Sequence, residues 1–179
     1  QALKPLNVRC KSVWGHTLYQ LQDLPFDLSH LPELFTKFRK NVEQNAQIQP
    51  ALPAPTNLPP LPADIDPGNL PSLADFGLET SQSDSRGVLA FTGGETAGID
   101  RLEEYIWQQD KLRVYKETRN GMLGADYSSK FSPWLALGCL SPRYIYAQVQ
   151  KYEAERIAND STYWLIFELL WRDYFRFIC

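Results

Sequence analysis

Two stretches of this chain carry side chains whose types and spacing could do chemistry together. The first is Gly124-Ala125-Asp126-Tyr127-Ser128-Ser129-Lys130-Phe131-Ser132-Pro133, which sets serine hydroxyls and one ammonium group just ahead of a helix start. A helix N-terminus presents free backbone N–H groups and the positive end of its dipole, so such a run suits an anion such as a phosphate. Lys130 and the serine hydroxyls can add charge-assisted bonds. The same residue types also serve as plain helix caps, and both uses stay open on the spacing alone. The second stretch is the last helix-like run, in which Trp164, Glu168, Trp171, Arg172 and Phe175 recur at i, i+4, i+7, i+8 and i+11 and therefore share one face. One reading is a core stripe with an i,i+4 ion pair between Glu168 and Arg172. The other is a cavity wall that stacks a flat ring system and hydrogen-bonds its edge. Ionised groups on an apolar helix are costly unless something polar faces them, which is the argument for the cavity.

The elements that must position these groups are legible from start and stop signals. Ser132-Pro133 opens a short helix that Gly138 stops, and Ser141-Pro142 opens another with Ile145, Val149 and Tyr152 as its buried stripe. Ser161 opens the last helix, to about Ile178, apolar on nearly every side and so expected to be buried. Thr92-Gly93-Gly94-Glu95 has the form of a capping box, with Ile99, Leu102 and Ile106 following on one face. Upstream, Leu31-Pro32 starts a helix-like run to about Gln47 with Leu34, Phe35, Phe38 and Val42 at helical spacing. Before it, Val8 to Leu21, with Gly15 inside, reads as a strand and a turn.

Residues 50–71 hold eight of the chain's thirteen prolines. Proline fixes φ and removes a backbone donor, so this is an extended connector, continuing through Ser81–Gly87. A disordered segment is the competing reading. The net charge of −3 is unevenly spread: residues 43–110 carry eleven acidic side chains against Arg86 and Arg101, a balance of −9. Residues 111–143 carry Lys111, Arg113, Lys116, Arg119, Lys130 and Arg143 against Glu117 and Asp126, a balance of +4 that suits an anionic partner or a mixed solvated surface. Cys10, Cys139 and Cys179 are too scattered for a disulfide framework or a zinc site, and His16 and His30 match no metal spacing. We expect a reducing, intracellular setting, no metal and no membrane span. The start at Gln1 and the end at Cys179 within a helical run read as cuts.

Four ordered motifs carry a resemblance: Tyr115-Lys116-Glu117-Thr118-Arg119-Asn120-Gly121; Asp126 to Ala136; Leu140-Ser141-Pro142-Arg143; and Phe167-Glu168-Leu169-Leu170-Trp171-Arg172-Asp173-Tyr174-Phe175. Together they resemble the first half of the flavin-binding helical domain of photolyases and cryptochromes, and the wording is most similar to the cryptochrome-DASH branch. Asp23-Leu24-Pro25-Phe26, followed by Phe35 to Lys40, is similar to the end of that family's N-terminal α/β domain. The fold implied is mixed. The C-terminal edge of a Rossmann-like α/β domain spans 1–48, a proline-rich interdomain linker spans 49–90, and the first half of an all-α FAD-binding domain spans 91–179.

The resemblance also implies roles. Tyr115 and the loop Ser128, Ser129, Lys130, Phe131 and Ser132 would hold the FAD phosphates. Leu165, Glu168 and Arg172 would line the flavin pocket, although other branches often place a tryptophan where Leu165 stands. Arg119 would touch the DNA backbone, with Arg172 also counted toward DNA. Glu168 would hydrogen-bond a flipped pyrimidine dimer, and Trp171 would pack against it, which makes these two the catalytic pair. The implied activity is light-driven splitting of cyclobutane pyrimidine dimers in single-stranded DNA by a monomeric lyase. A photoreceptor without repair is the alternative. An antenna pterin (methenyltetrahydrofolate) would bind mostly outside this chain, and the 179 residues alone are expected to bind FAD weakly and to be inactive. The location implied is cytoplasmic, or organellar for a plant protein.

Overall fold

The computed structural model describes residues 10–79, 84 and 86–179. Among them there are six α-helices and no strand: α1 (Phe35–Asn45), α2 (Glu95–Leu102), α3 (Tyr115–Thr118), α4 (Ser132–Ala136), α5 (Pro142–Glu155) and α6 (Asp160–Ile178). A π-helical turn, Glu103–Gln108, continues α2, and short 3₁₀ turns precede α1 and α3. Contacts divide the chain into a helical unit, residues 1–51 with 92–179, and a second unit, residues 52–91.

The helical unit is built around α6. Leu165, Ile166, Leu169, Leu170, Tyr174 and Phe177 are buried along it, and Ile145, Val149 and Tyr152 of α5 are fully buried. Side chains of this kind each contribute about 1.5–3 kcal/mol when removed from water. Phe35, Phe38 and Val42 of α1 complete the core, with the Phe35 ring edge-on to Phe167 at 5.3 Å. At Gly98, a Cβ would stand 3.1 Å from Cγ of Trp134, so glycine lets α2 close against α4. The indole N–H of Trp134 donates to the Thr92 carbonyl at 2.9 Å.

Several local expectations need correction. The strand expected over Val8–Leu21 does not form within its described part. There the backbone N–H groups of Leu18 and Tyr19 donate to the Asp173 carboxylate (2.9 and 3.1 Å), bonds a strand would have given to a sheet partner. The Rossmann-like edge is therefore not seen among the described residues. Helix α1 starts at Phe35, not at Leu31-Pro32: Leu34 is extended, and the Tyr174 hydroxyl donates to the carbonyls of Pro32 and Glu33 just before it. Leu34, expected inside, is exposed.

The caps differ as well. Helix α2 is capped by Gly94, at φ 95°, and not by Thr92. The capping box of α6 belongs to Asn159 and Thr162. Ser161 turns its hydroxyl to Glu117 (2.7 Å) and accepts from the Lys116 N–H (3.0 Å), tying α3 to the start of α6. The short helix α4 and the buried stripe of α5 form as expected, with Gly138 at φ 73° after α4.

Among the described residues of 52–91, the one helical element is a 3₁₀ turn, Ala74–Phe76. Asp75 stabilises that turn by accepting from the N–H and hydroxyl of Ser72 at 2.7 and 2.8 Å. Part of the Ser81–Gly87 stretch lies outside the described residues.

Candidate functional site

A cavity of about 540 Å³ opens between the serine-rich loop and α6. That volume lies within the roughly 300–1,000 Å³ of small-molecule sites. Of the nine residues expected to hold a cofactor, seven line it: Tyr115, Ser129, Phe131, Ser132, Leu165, Glu168 and Arg172. Leu135, Leu169 and Phe175 make the rest of its apolar wall, and Arg176 adds a second cation. Ser128 and Lys130 do not reach it. The Ser128 carbonyl faces Arg101, and the Lys130 ammonium sits 3.6 Å from the centre of the Tyr127 ring.

Each wall is positioned by identifiable contacts. Tyr115 is the first residue of α3, and Asn159 and Ser161 hold that turn by bonds to the Arg113 carbonyl and the Lys116 N–H. Burial pushes the Tyr115 phenol above its ordinary pKa, the Glu168 charge adds to this and Arg119 opposes it, so Tyr115 acts as a neutral hydroxyl. On α6, Arg172 is anchored by donating to the carbonyls of His16 and Leu135, the latter at 3.1 Å. Burial lowers its pKa, with Arg176 in the same direction. Such an arginine keeps its charge because guanidinium starts so high. The neighbouring Asp173 is fully buried and clamps the segment Leu18–Tyr19 to α6.

The Glu168–Arg172 ion pair, one of the two readings of this face, is not seen, and Glu168 pairs elsewhere. Glu168 Oε1 lies 2.5 Å from Nη2 of Arg119, so the residue expected on the DNA backbone and the one expected on the lesion meet at the cavity rim. Trp171 is not on the wall. Its ring stacks on Phe35 of α1 at 3.6 Å and 12°, and on Phe175 at 5.5 Å. Trp164 lies under two cations, 4.9 Å from Lys116 Nζ and 5.9 Å from the Arg119 guanidinium carbon.

One residue central to the site went unnoticed in the sequence. Arg101, 4% exposed, sends its guanidinium from α2 into the serine-rich loop. It donates to the carbonyls of Ser129, Ala125 and Ser128 (3.2, 3.2 and 3.4 Å) and pairs with Asp126 and Glu104, both at 2.9 Å. A loop without regular hydrogen bonds needs such a donor, because its inward carbonyls are otherwise unpaired. The signal available beforehand was that Arg101 is one of only two cations in the acidic stretch 43–110.

Chemically, the cavity offers an apolar slot for a flat ring, hydroxyls and a phenol near a helix start, and cations on its α6 side. Among the described residues, no group of three His, Cys, Asp or Glu side chains comes together to hold a metal ion. No helix among them is long and apolar enough to cross a membrane.

Comparison with known proteins puts the chain in the photolyase/cryptochrome class. Known proteins define the branch. The chain is 68% identical over 177 residues to the cryptochrome DASH of Gloeobacter violaceus, covering 99% of this chain and 35% of that protein. It is 54% identical over 172 residues to the chloroplastic/mitochondrial cryptochrome DASH of Arabidopsis thaliana, covering 96% and 30%. The crystal structure of a Synechocystis cryptochrome matches with a TM-score of 0.91 at 56% identity, over 98% of this chain and 36% of that one. No family model matches. The chain belongs to the cryptochrome DASH family and spans about a third of the length of these relatives.

Proposed function

We propose that the cavity is the phosphate side and one face of an FAD site, in a protein that uses blue light to split cyclobutane pyrimidine dimers in single-stranded DNA. The observation that carries this reading is the convergence on one cavity of Tyr115, Ser129, Phe131, Ser132, Leu165, Glu168 and Arg172. Their chemistry fits the cofactor. Ser129 and Ser132 offer hydroxyls at the start of α4, Arg172 and Arg176 offer positive charge, and Leu135, Leu165 and Leu169 offer a flat apolar surface. When bound, the reduced, light-excited flavin supplies the electron that opens the dimer.

The chain's own residues position and exclude. Arg119 fixes the Glu168 carboxylate at the rim, where it is available to a flipped base. Trp171 is ordered by stacking between Phe35 and Phe175, the latter a residue of the cavity wall. The basic stretch 111–143 suits the strand's phosphates. An antenna pterin belongs to the same reading, as does a monomer in the cytoplasm or, in a plant, an organelle.

The test is Glu168→Ala in the full-length protein, assayed with a dimer-bearing single strand under blue light. Repair yield should fall by about tenfold while the flavin stays bound, the pattern of a lost substrate contact. Unchanged repair would remove Glu168 from the lesion site. A wild-type protein that holds flavin and repairs nothing would favour the photoreceptor reading instead.

A further inference from the structure

The segment between Arg119 and Ser129 starts and ends beside the cavity, since Arg119 pairs with Glu168 of its lining and Ser129 lines it too. The base of this excursion is fixed. The Gly121 N–H donates to the Thr118 carbonyl at 2.8 Å, and a Cβ on Gly121 would stand 3.0 Å from the Tyr127 side chain. Gly124, at φ 82°, turns the chain back. At the tip stand Met122 and Leu123, 87% and 90% exposed. Two adjacent large apolar side chains held out from a tied-down loop, beside a cationic stretch of the sequence, have the form of a wedge for something both apolar and anionic. Nucleic acid bases on a phosphate backbone meet that description, and apolar side chains including methionine and leucine are known to enter base steps.

We propose that the Met122–Leu123 tip is a wedge that unstacks the bases flanking the lesion in single-stranded DNA and holds the strand over the cavity. The inference rests on the reading above for its substrate, and it assigns the tip a contact that the cavity residues do not make. Methionine is flexible and polarisable, which suits contact with ring faces of any sequence.

The test uses the full-length protein, wild type and Met122→Ser/Leu123→Ser, and a single strand with one thymine dimer and 2-aminopurine beside it. Wild-type binding should raise the 2-aminopurine fluorescence as that base loses its stacking neighbour. The variant should bind about tenfold more weakly, as expected for lost base contacts, and leave the fluorescence low. Met122→Leu, which keeps an apolar tip, should behave as wild type. Equal affinity and an equal fluorescence rise in the serine variant would overturn the wedge. So would a marked fall in its melting temperature, since the tip would then be packed within the complete protein. Wild type binding without lesion preference, with the variant still weaker, would sink the repair reading and keep the wedge as a general single-strand contact. No DNA binding by wild type would end both.

Discussion

The two walls of the cavity are held in different ways. Helix α6 rests on apolar side chains spread over 19 residues, with a capping box at its start and the Asp173 clamp near its end. The serine-rich loop has no comparable core, and one guanidinium, that of Arg101, collects three of its carbonyls and the Asp126 carboxylate. A wall built from many apolar side chains loses one contribution at a time, each local to the side chain removed. A wall organised by a single buried cation fails as a unit, because each carbonyl it releases becomes an unpaired acceptor.

The contrast is broken most directly at Arg101. Arg101→Met should destabilise the protein by about 3 kcal/mol and lower flavin affinity more than tenfold, as removal of one partner from a buried charged network does. Urea unfolding and the flavin content of the purified protein read both effects. Arg101→Lys should restore little, since an ammonium cannot serve several carbonyls with a planar fork. If flavin content stayed at the wild-type level in Arg101→Met, the loop would be organised by something else.

A smaller and more selective effect is expected on the α6 side. Asp173→Ala leaves the N–H groups of Leu18 and Tyr19 without their acceptor, which should cost about 2 kcal/mol. Flavin content should change little, because Asp173 faces the N-terminal segment and not the cavity. Loss of flavin at unchanged stability would reverse the comparison.

The pH dependence of the same clamp is the smallest term. Burial pushes Asp173 up from 3.8 to about 7, against the opposing pull of the Tyr19 and Leu18 N–H groups and of Arg172. The folded state therefore binds this proton more tightly than the unfolded chain. Its contribution to stability is present at acid pH and lost as pH rises through about 7. From about pH 6 to about pH 8, the stability of wild type relative to Asp173→Asn should fall by about 1 kcal/mol. No change over that interval would mean that the N–H groups hold the carboxylate ionised.

How far the sequence reached follows from what kind of partner each residue needed. The helices α4, α5 and α6 were legible because apolar periodicity and Ser-Pro starts are local signals. The ordered motifs led to seven residues that line one cavity, because the motifs are read from side-chain types. Arg101 and Asp173 were hidden for a shared reason: much of their bonding is to backbone carbonyls and N–H groups, which every residue carries and no sequence marks. Helical spacing made a Glu168–Arg172 pair available without choosing it, and Glu168 pairs with Arg119 instead. The strand expected near Gly15 failed because its N–H groups had an acceptor, Asp173, more than 150 residues away in the chain.

The central claim is that this cavity is a flavin site, and the visible absorption spectrum of the purified full-length protein tests it most directly. Flavin bands at stoichiometric strength in wild type are the predicted result. A colourless wild-type protein that stays colourless after incubation with FAD would contradict the account, and the roles given to the serine loop and to α6 would fall with it.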